Sequence, residues 1–334
     1  GLGGGCASTS SEAQQGVLPA DIIVLVDNSG SMTEEAILVQ NSMNAFASTF
    51  IGSGIDAHVV LISNDSNDDE GICVPPPLGN GNCPNDEALP VFRHVVQDVQ
   101  SSNSLELLLS TYDQWKDQLR PGASKTIAVI SDDNSALEAG PFTTQLLALD
   151  ATFQDFKFDA IVSPYEVFPL VCFNCNPTNC ATCDPCCGPD ENNMLCVPLP
   201  AEAGQVYMDL VNQTQGVLGD LCSQNFQPVF DDFATAVVTD SMVACVYDIP
   251  DPGNGDEIDF DKVNVEYRPN PNAPPEVIPY VPSGASGCGT DGGWYYDDPN
   301  TPTQIILCQS TCDYVQGSPE GIVSVVFGCA TVIK

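Results

Sequence analysis

The chain has 334 residues, of which 43% are hydrophobic, so it is long enough to bury a sizeable core and its composition argues against a disordered chain. It carries 45 acidic and only 8 basic residues, a net charge of −37, which excludes binding to nucleic-acid phosphates or anionic membranes and attracts divalent cations. An acidic surface that only keeps the protein in solution, or that reflects adaptation to salt, is the alternative explanation. No apolar run reaches the roughly 18 residues that a transmembrane segment needs.

Strand and helix patterns alternate along residues 20–241. Five apolar residues, Ile22 to Val26, predict a strand that is buried on both faces, as in a parallel sheet. Similar runs predict strands at Ala57–Ser63, Phe92–Val99, Lys125–Ser131 and Phe158–Ser163. Apolar residues at helical spacing predict helices at Met32–Phe50, Leu105–Leu119, Phe142–Phe156, Val206–Val211 and Phe226–Val238. This alternation predicts an α/β fold with a doubly wound, mostly parallel, Rossmann-like sheet.

Composition changes divide the chain into three parts. Residues 1–19 are rich in Gly, Ser and Gln and predict an extended N-terminal arm. Residues 20–241 form the α/β domain, with cysteine-containing insertions at about 64–90 and 165–200. Beyond residue 241, short segments of period-two alternation, such as Val263–Tyr267, are separated by Pro, Gly and Asn. Residues 242–334 are therefore predicted to be a small, disulfide-stapled antiparallel β domain.

A short polar loop follows the first predicted strand directly. Asp27, Ser29 and Ser31 place one carboxylate and two hydroxyls at the carboxyl end of that strand, just before a helix. Ligands of open α/β sheets bind at the carboxyl ends of strands, and hard oxygen donors suit a hard cation. The loop therefore predicts a divalent cation site for Mg²⁺ or Ca²⁺. The alternative is that both serines only cap the helix.

The sequence Asp27-x-Ser29-x-Ser31 in this setting resembles the metal-ion-dependent adhesion site of von Willebrand factor A domains. Asp132, at the end of the predicted strand Lys125–Ser131, matches the family's later aspartate. Ser102 is the favoured match to the family's threonine. The resemblance implies that Ser29 and Ser31 bind the cation directly, while Asp27 and Asp132 bind it directly or through water. It also implies that a carboxylate of a protein partner completes the coordination shell.

Sixteen cysteines indicate an oxidising compartment. We expect Cys73 to pair with Cys83, and Cys222 to pair with the seven-cysteine cluster between Cys172 and Cys196. Zinc is the alternative for that cluster, because Cys172-x-x-Cys175 and Cys180-x-x-Cys183 have the spacing of zinc ribbons. Cys6 is left open as paired, free or lipidated. The disulfide candidates are Cys73, Cys83, Cys172, Cys175, Cys180, Cys183, Cys186, Cys187, Cys196, Cys222, Cys245, Cys288, Cys308, Cys312 and Cys329.

Two acidic loops are further candidates for calcium binding, although neither has the spacing of an EF-hand. The first contains Asp65, Asp68, Asp69 and Glu70, and the second contains Asp256, Asp259 and Asp261. A solvated acidic loop is the simpler interpretation of each.

Catalysis has little support in the sequence. It lacks the Gly-x-Ser-x-Gly and His-Glu-x-x-His motifs and a phosphate-binding glycine loop. The two histidines, His58 and His94, lie within predicted strands, where packing is their expected role. We therefore expect the protein not to be an enzyme.

The C-terminal segments, including Gly293–Asp297, resemble the small β unit that follows A domains in secreted bacterial proteins. The whole chain resembles cysteine-rich, secreted or lipid-anchored A-domain proteins of myxobacterium-like bacteria, which implies an extracellular or cell-surface location. The first functional hypothesis is a cation-dependent adhesion module for a protein ligand that offers a carboxylate. The second is a structural subunit of an extracellular filament or coat, in which the N-terminal arm joins neighbouring copies of the chain into a homopolymer.

Overall fold

The computed structural model describes residues 18–333, except positions 69, 121, 167–171, 177–179, 181–185, 190–193, 242–244, 250–258, 319–320 and 328–330. Residues 19–241 and residues 242–334 belong to two separate units. The predicted arm at 1–19 lies almost entirely outside the described residues, as do Cys6, Asp69, Cys183, Asp256 and Cys329.

A six-stranded sheet forms the centre of residues 19–241. The strands of this unit are β1 (Ala20–Val26), β2 (Ala57–Ser63), β3 (Phe92–Val96), β4 (Ser124–Ile130), β5 (Lys157–Val162), β6 (Cys187–Pro189), β7 (Cys196–Pro198) and β8 (Leu218–Asp220). The sheet has the order β3-β2-β1-β4-β5-β8, and each neighbouring pair is parallel. β6 and β7 form a separate antiparallel pair. The predicted fold class is confirmed.

Helices cover both faces of this sheet. They are α1 (Thr33–Ser53), α2 (Ser104–Ser110), α3 (Tyr112–Trp115), α4 (Ala139–Leu149), α5 (Gln205–Thr214) and α6 (Gln227–Ser241). Ile23 and Leu25 of β1 pack in one core cluster with residues of α2, α4 and α5. α1 packs against α6, where Phe46 and Phe230 meet edge to face at 5.7 Å. The alternating side chains of a strand thus support two separate helical layers.

Two predicted helices were too long. The segment Leu105–Leu119 is broken at Thr111, whose hydroxyl donates to the carbonyl of Leu107 and competes with regular helical geometry. The segment Phe142–Phe156 ends as an α-helix at Leu149. There the carboxylate of Asp150 accepts a hydrogen bond from the Thr152 amide and begins a short 3-10 helix instead.

The described part of residues 242–334 contains two antiparallel sheets and one α-helix. The elements are β9 (Val246–Asp248), β10 (Val263–Arg268), β11 (Glu276–Ile278), β12 (Trp294–Tyr296), β13 (Gln304–Leu307), α7 (Gln309–Gln316) and β14 (Ile322–Phe327). The sheet orders are β11-β10-β14 and β12-β13-β9. The helix α7 was not predicted, because its eight residues bury only Thr311, Cys312 and Val315.

Six disulfides join described cysteines. The pairs are Cys73–Cys83, Cys172–Cys187, Cys180–Cys196, Cys186–Cys222, Cys245–Cys312 and Cys288–Cys308. Two of them, Cys73–Cys83 and Cys186–Cys222, are the pairings favoured from the sequence, and Cys175 is also disulfide-bonded. The zinc alternative for the cluster is wrong for these cysteines, because a sulfur in a disulfide is not a thiolate ligand.

The disulfides are typical of proteins that fold in an oxidising compartment outside the cytosol. None of the described helices is long and apolar enough to cross a membrane.

Candidate metal centre

The loop after β1 is held at the carboxyl edge of the sheet by its neighbours. The amide of Asp27 donates to the carbonyl of Ile130 at 3.0 Å, and the amide of Asn28 donates to the carbonyl of Val99 at 2.7 Å. The Asp27 side chain is fully buried. One of its carboxylate oxygens accepts from the Ser29 amide at 2.8 Å, and the other accepts from the Ser131 hydroxyl at 2.7 Å.

Asp132 follows β4 and faces the same position. Its side chain is 1% exposed, yet neither carboxylate oxygen has a hydrogen-bond partner among the described residues. Its carbonyl accepts from the amides of Ala201 and Glu202, at 2.9 and 3.1 Å, which fixes the loop. Carboxylate oxygens of Asp27, Asp132 and Asp133 lie within 4.8 Å of one another. One cation can contact all three.

The two serines of the loop point their hydroxyls toward each other rather than into the following helix. Their Oγ atoms are 3.2 Å apart. Ser29 precedes the 3-10 helix Gly30–Met32 but makes no side-chain capping hydrogen bond. The Ser31 hydroxyl lies beside the Asp132 carboxylate and lowers its pKa, although the pair does not have hydrogen-bond geometry. The capping alternative for Ser29 therefore finds no support in its contacts.

Burial is the largest influence on the pKa values of Asp27 and Asp132. Burial raises the pKa of Asp27, against the hydrogen bonds from Ser131 and Ser29 that lower it. Burial also raises the pKa of Asp132 to about 7, and repulsion from Asp27, Asp133 and Glu35 adds to the shift. None of the ion pairs among the described residues includes Asp27, Asp132 or Asp133.

Glu35 lies beside this centre, outside the group of three carboxylates, and was not singled out from the sequence. It lies in the first turn of α1, is 3% exposed, and accepts a hydrogen bond from the Gln224 side chain at 2.7 Å. Gln224 has a left-handed backbone with φ of 47°, a conformation that costs free energy for a residue other than glycine. The available signal was helical spacing, since Ser31 and Glu35 are one turn apart.

The segment after β3 that carries Ser102 contacts both aspartate loops. The Val99 carbonyl accepts from the Asn28 amide at 2.7 Å, and the Ser102 carbonyl accepts from the Ala136 amide at 2.9 Å. The Ser102 side chain is exposed and makes no hydrogen bond to described residues. The structure thus brings together Asp27, Ser29, Ser31 and Asp132 and places Ser102 near them. It does not join the Ser102 hydroxyl to that group.

The carboxylates of the two predicted calcium loops form hydrogen bonds and an ion pair with protein groups. Asp65 accepts from the Asn67 amide, Asp68 from the Asn64 side chain, and Glu70 from the Thr33 hydroxyl. In the second loop, Asp259 pairs with Lys262 and accepts from the amide of Asp261. Among the described residues, no group of three converging ligands includes a member of either loop.

Ser63, His94 and Asp86 form a hydrogen-bonded chain like that of a serine hydrolase. The Ser63 Oγ is 3.0 Å from His94 Nε2, and His94 Nδ1 is 2.7 Å from Asp86 Oδ1. However, Ser63 is fully buried, and the His94 and Asp86 side chains are only 2% and 1% exposed. A nucleophile must be reachable by its substrate, so this chain instead anchors the insertion at 64–90 to β2 and β3.

Comparison with known proteins gives little further information. No protein-family model matches the chain, and no curated protein matches it. Among solved structures, proximal thread matrix protein 1 from the mussel byssus is similar, with a TM-score of 0.32 and 16% sequence identity. The match covers 72% of this chain and 51% of that one, so it spans about half of the byssus protein. No conclusion about this chain rests on so weak a likeness.

Proposed function

We propose that this chain is an extracellular adhesion protein of the von Willebrand factor A type, in which Asp27, Ser29, Ser31 and Asp132 hold a divalent cation that binds a partner. The observation that carries the proposal is Asp132, a buried carboxylate beside a second buried carboxylate, with two oxygens that have no hydrogen-bond partner in the described part of the chain. An unpaired buried charge costs several kcal/mol, and a cation at this point removes that cost.

Each residue has a defined task in this proposal. Asp27 is oriented by the Ser29 amide and the Ser131 hydroxyl, so its carboxylate is held in place before a cation arrives. Asp132 is oriented by its backbone, and both of its oxygens are available. A bound Mg²⁺ or Ca²⁺ supplies positive charge and coordination positions that a partner's oxygen can enter. The serine hydroxyls are neutral donors that add contacts without adding repulsion.

We also propose a non-catalytic role. Neither histidine of the chain lies in an open site. His58 Nδ1 is 2.9 Å from the carbonyl of Gln118, and His94 belongs to the buried chain with Asp86.

The first test is calorimetric titration of EDTA-treated protein with Ca²⁺ and with Mg²⁺. We expect one site, and at least a 100-fold loss of affinity in Asp132→Asn. Asp113→Asn is the matched control, since it removes the same charge from an exposed position on α3 and should change affinity less than twofold. If the wild-type chain binds neither cation, the proposal is wrong.

The second test separates adhesion from the filament alternative. Light scattering of the full chain, with Ca²⁺ and with EDTA, measures whether copies associate. A chain that binds the cation and remains a monomer supports adhesion to a different protein. Cation-dependent polymers that are lost in Asp132→Asn support the filament subunit predicted from the N-terminal arm and contradict the adhesion proposal.

A further inference from the structure

Asp133 adds a third carboxylate to the metal centre. One of its oxygens lies within 4.8 Å of ligand oxygens on both Asp27 and Asp132. Its side chain is half-buried, and its position is fixed by its own amide, which donates to the Ser131 hydroxyl at 3.1 Å.

Ser131 is the residue that brings the three carboxylates to one point. Its hydroxyl donates to Asp27 at 2.7 Å and accepts from the Asp133 amide at 3.1 Å. Asp132 lies between Ser131 and Asp133 in the chain, and its buried carboxylate has no partner among the described residues. An unpartnered, buried carboxylate next to two others independently indicates that a ligand belongs there.

We infer that Asp133 is a direct ligand of the cation and that it makes the centre selective for Ca²⁺ over Mg²⁺; this inference rests on the proposed function. Mg²⁺ is held in proteins by one or two carboxylates, keeps several waters and demands near-ideal octahedral geometry. Ca²⁺ accepts six to eight oxygens in flexible geometry, with several carboxylates among them.

The charge balance of the centre has a consequence for the partner. Three carboxylates around one divalent cation leave a net charge of −1, and Glu35 adds further negative potential at Asp132. An incoming carboxylate is then repelled, whereas a neutral oxygen is not. The partner group that fits this centre is therefore a neutral oxygen donor, such as an amide carbonyl or a hydroxyl.

The test uses Tb³⁺, a luminescent substitute for Ca²⁺, bound to EDTA-treated wild-type protein and two variants. Luminescence lifetimes in H₂O and D₂O count the waters on the ion. Asp133→Asn should gain about one water, because an amide oxygen is a weaker ligand than a carboxylate. Glu35→Gln removes the same charge from a residue outside the group of three and should leave the water count unchanged.

Displacement of bound Tb³⁺ by Ca²⁺ or by Mg²⁺ from the same proteins measures the affinity for each cation and so the selectivity. We expect the wild-type chain to bind Ca²⁺ at least tenfold more tightly than Mg²⁺, and Asp133→Asn to lose most of that ratio. Asp133→Glu, which keeps the carboxylate, should retain it. Circular dichroism checks that each variant is folded.

The outcomes separate the two proposals. If no cation binds to the wild-type chain, the proposed function fails and this inference fails with it. If a cation binds but Asp133→Asn changes neither the water count nor the ratio, only this inference fails. A weaker affinity with an unchanged water count also overturns direct ligation, because it is the expected effect of a distant charge.

Discussion

The two ends of β1 each carry a buried aspartate, and these two aspartates have different partners. Asp21, at the start of the strand, is 2% exposed and contacts Arg120 Nε at 2.8 Å and Lys125 Nζ at 3.1 Å. Asp27, just after the strand, is fully buried, and its carboxylate accepts from the Ser131 hydroxyl and the Ser29 amide. Basic side chains neutralise Asp21, whereas no basic side chain in the described part of the chain pairs with Asp27.

This difference is informative because basic residues are scarce. The chain has only 8 Lys and Arg among 334 residues, and two of them neutralise Asp21. At the other end, three carboxylates lie together with no basic partner among the described residues. Since a buried charge is costly in either place, the absence of a protein cation at one end favours a cation from solution there.

Asp159 on β5 shows how the chain tolerates a buried carboxyl away from this centre. One oxygen accepts from the Val217 amide, the other has no partner among the described residues, and burial raises its pKa to about 7. A proton can neutralise this single group at mildly acidic pH. The centre at Asp27 is different, because several carboxyls share it and one cation can neutralise them together.

The largest expected loss of stability is at Asp21, the aspartate of β1 that has two basic partners. Asp21→Asn leaves Arg120 and Lys125 without their shared carboxylate, and Lys125 has only a 2% exposed side chain. We expect the free energy of unfolding in EDTA to fall by about 3 kcal/mol, the usual cost of removing one partner from a buried ion pair. Urea denaturation followed by circular dichroism measures it.

Asp27→Asn is the matched comparison for this variant, because both substitutions remove one charge from the same strand region. It should not destabilise the cation-free chain, since an asparagine oxygen still accepts from the Ser29 amide. Equal losses of stability in Asp21→Asn and Asp27→Asn would contradict the proposed difference between the two ends of β1.

A smaller change in stability is expected at Asp132, and its size depends on pH. The folded-state pKa of Asp132 is raised to about 7 from 3.8, so the cation-free fold binds this proton more tightly than the unfolded chain. Its stability is therefore highest at acid pH and falls as the pH rises toward 7. Relative to the wild type, we expect Asp132→Asn to gain stability in the cation-free chain as the pH rises, by roughly 2 kcal/mol more at pH 8 than at pH 5.

Thermal and urea unfolding at both pH values, with EDTA and with saturating Ca²⁺, measure this prediction. Saturating cation should make the wild-type chain the more stable one at pH 8. A difference from the wild type that is the same in EDTA at pH 5 and at pH 8 would contradict it. The fall in stability that remains in Asp132→Asn is assigned to the other carboxyls whose pKa is raised by burial, Asp27, Asp159 and Asp240.

The central strands were predictable because strands buried on both faces consist of unbroken apolar residues. β2 was predicted with its observed bounds, and β1 and β4 were predicted to within a few residues. β8 was not predicted, since Leu218–Asp220 has three residues, one of them glycine. Its place at the sheet edge comes from pairing with β5, which lies far away in the sequence.

The site was predictable only where its residues follow a strand. Asp27 and Asp132 both follow apolar runs, and parallel strands bring their carboxyl ends to one edge. Glu35 was missed because its contact with Gln224 joins residues 189 positions apart and needs a left-handed backbone at Gln224. Asp133 was not considered separately from Asp132, since nothing in the sequence pattern shows which of two adjacent aspartates faces the centre.

The smallest expected loss of stability is at an exposed ion pair, which tests whether burial adds to the effect of losing a partner. Lys116 pairs with Asp113 on the surface, where their side chains are 51% and 84% exposed. Lys116→Gln should lower the free energy of unfolding by about 0.5 kcal/mol or less, because water and salt screen an exposed pair. Measured beside Asp21→Asn in the same urea series, a loss of similar size in both variants would mean that the burial of Asp21 adds nothing to its ion pairs. A much smaller loss at Lys116 would mean that burial makes an unpaired charge costly, which is the condition on which the argument for a cation at Asp27 and Asp132 depends.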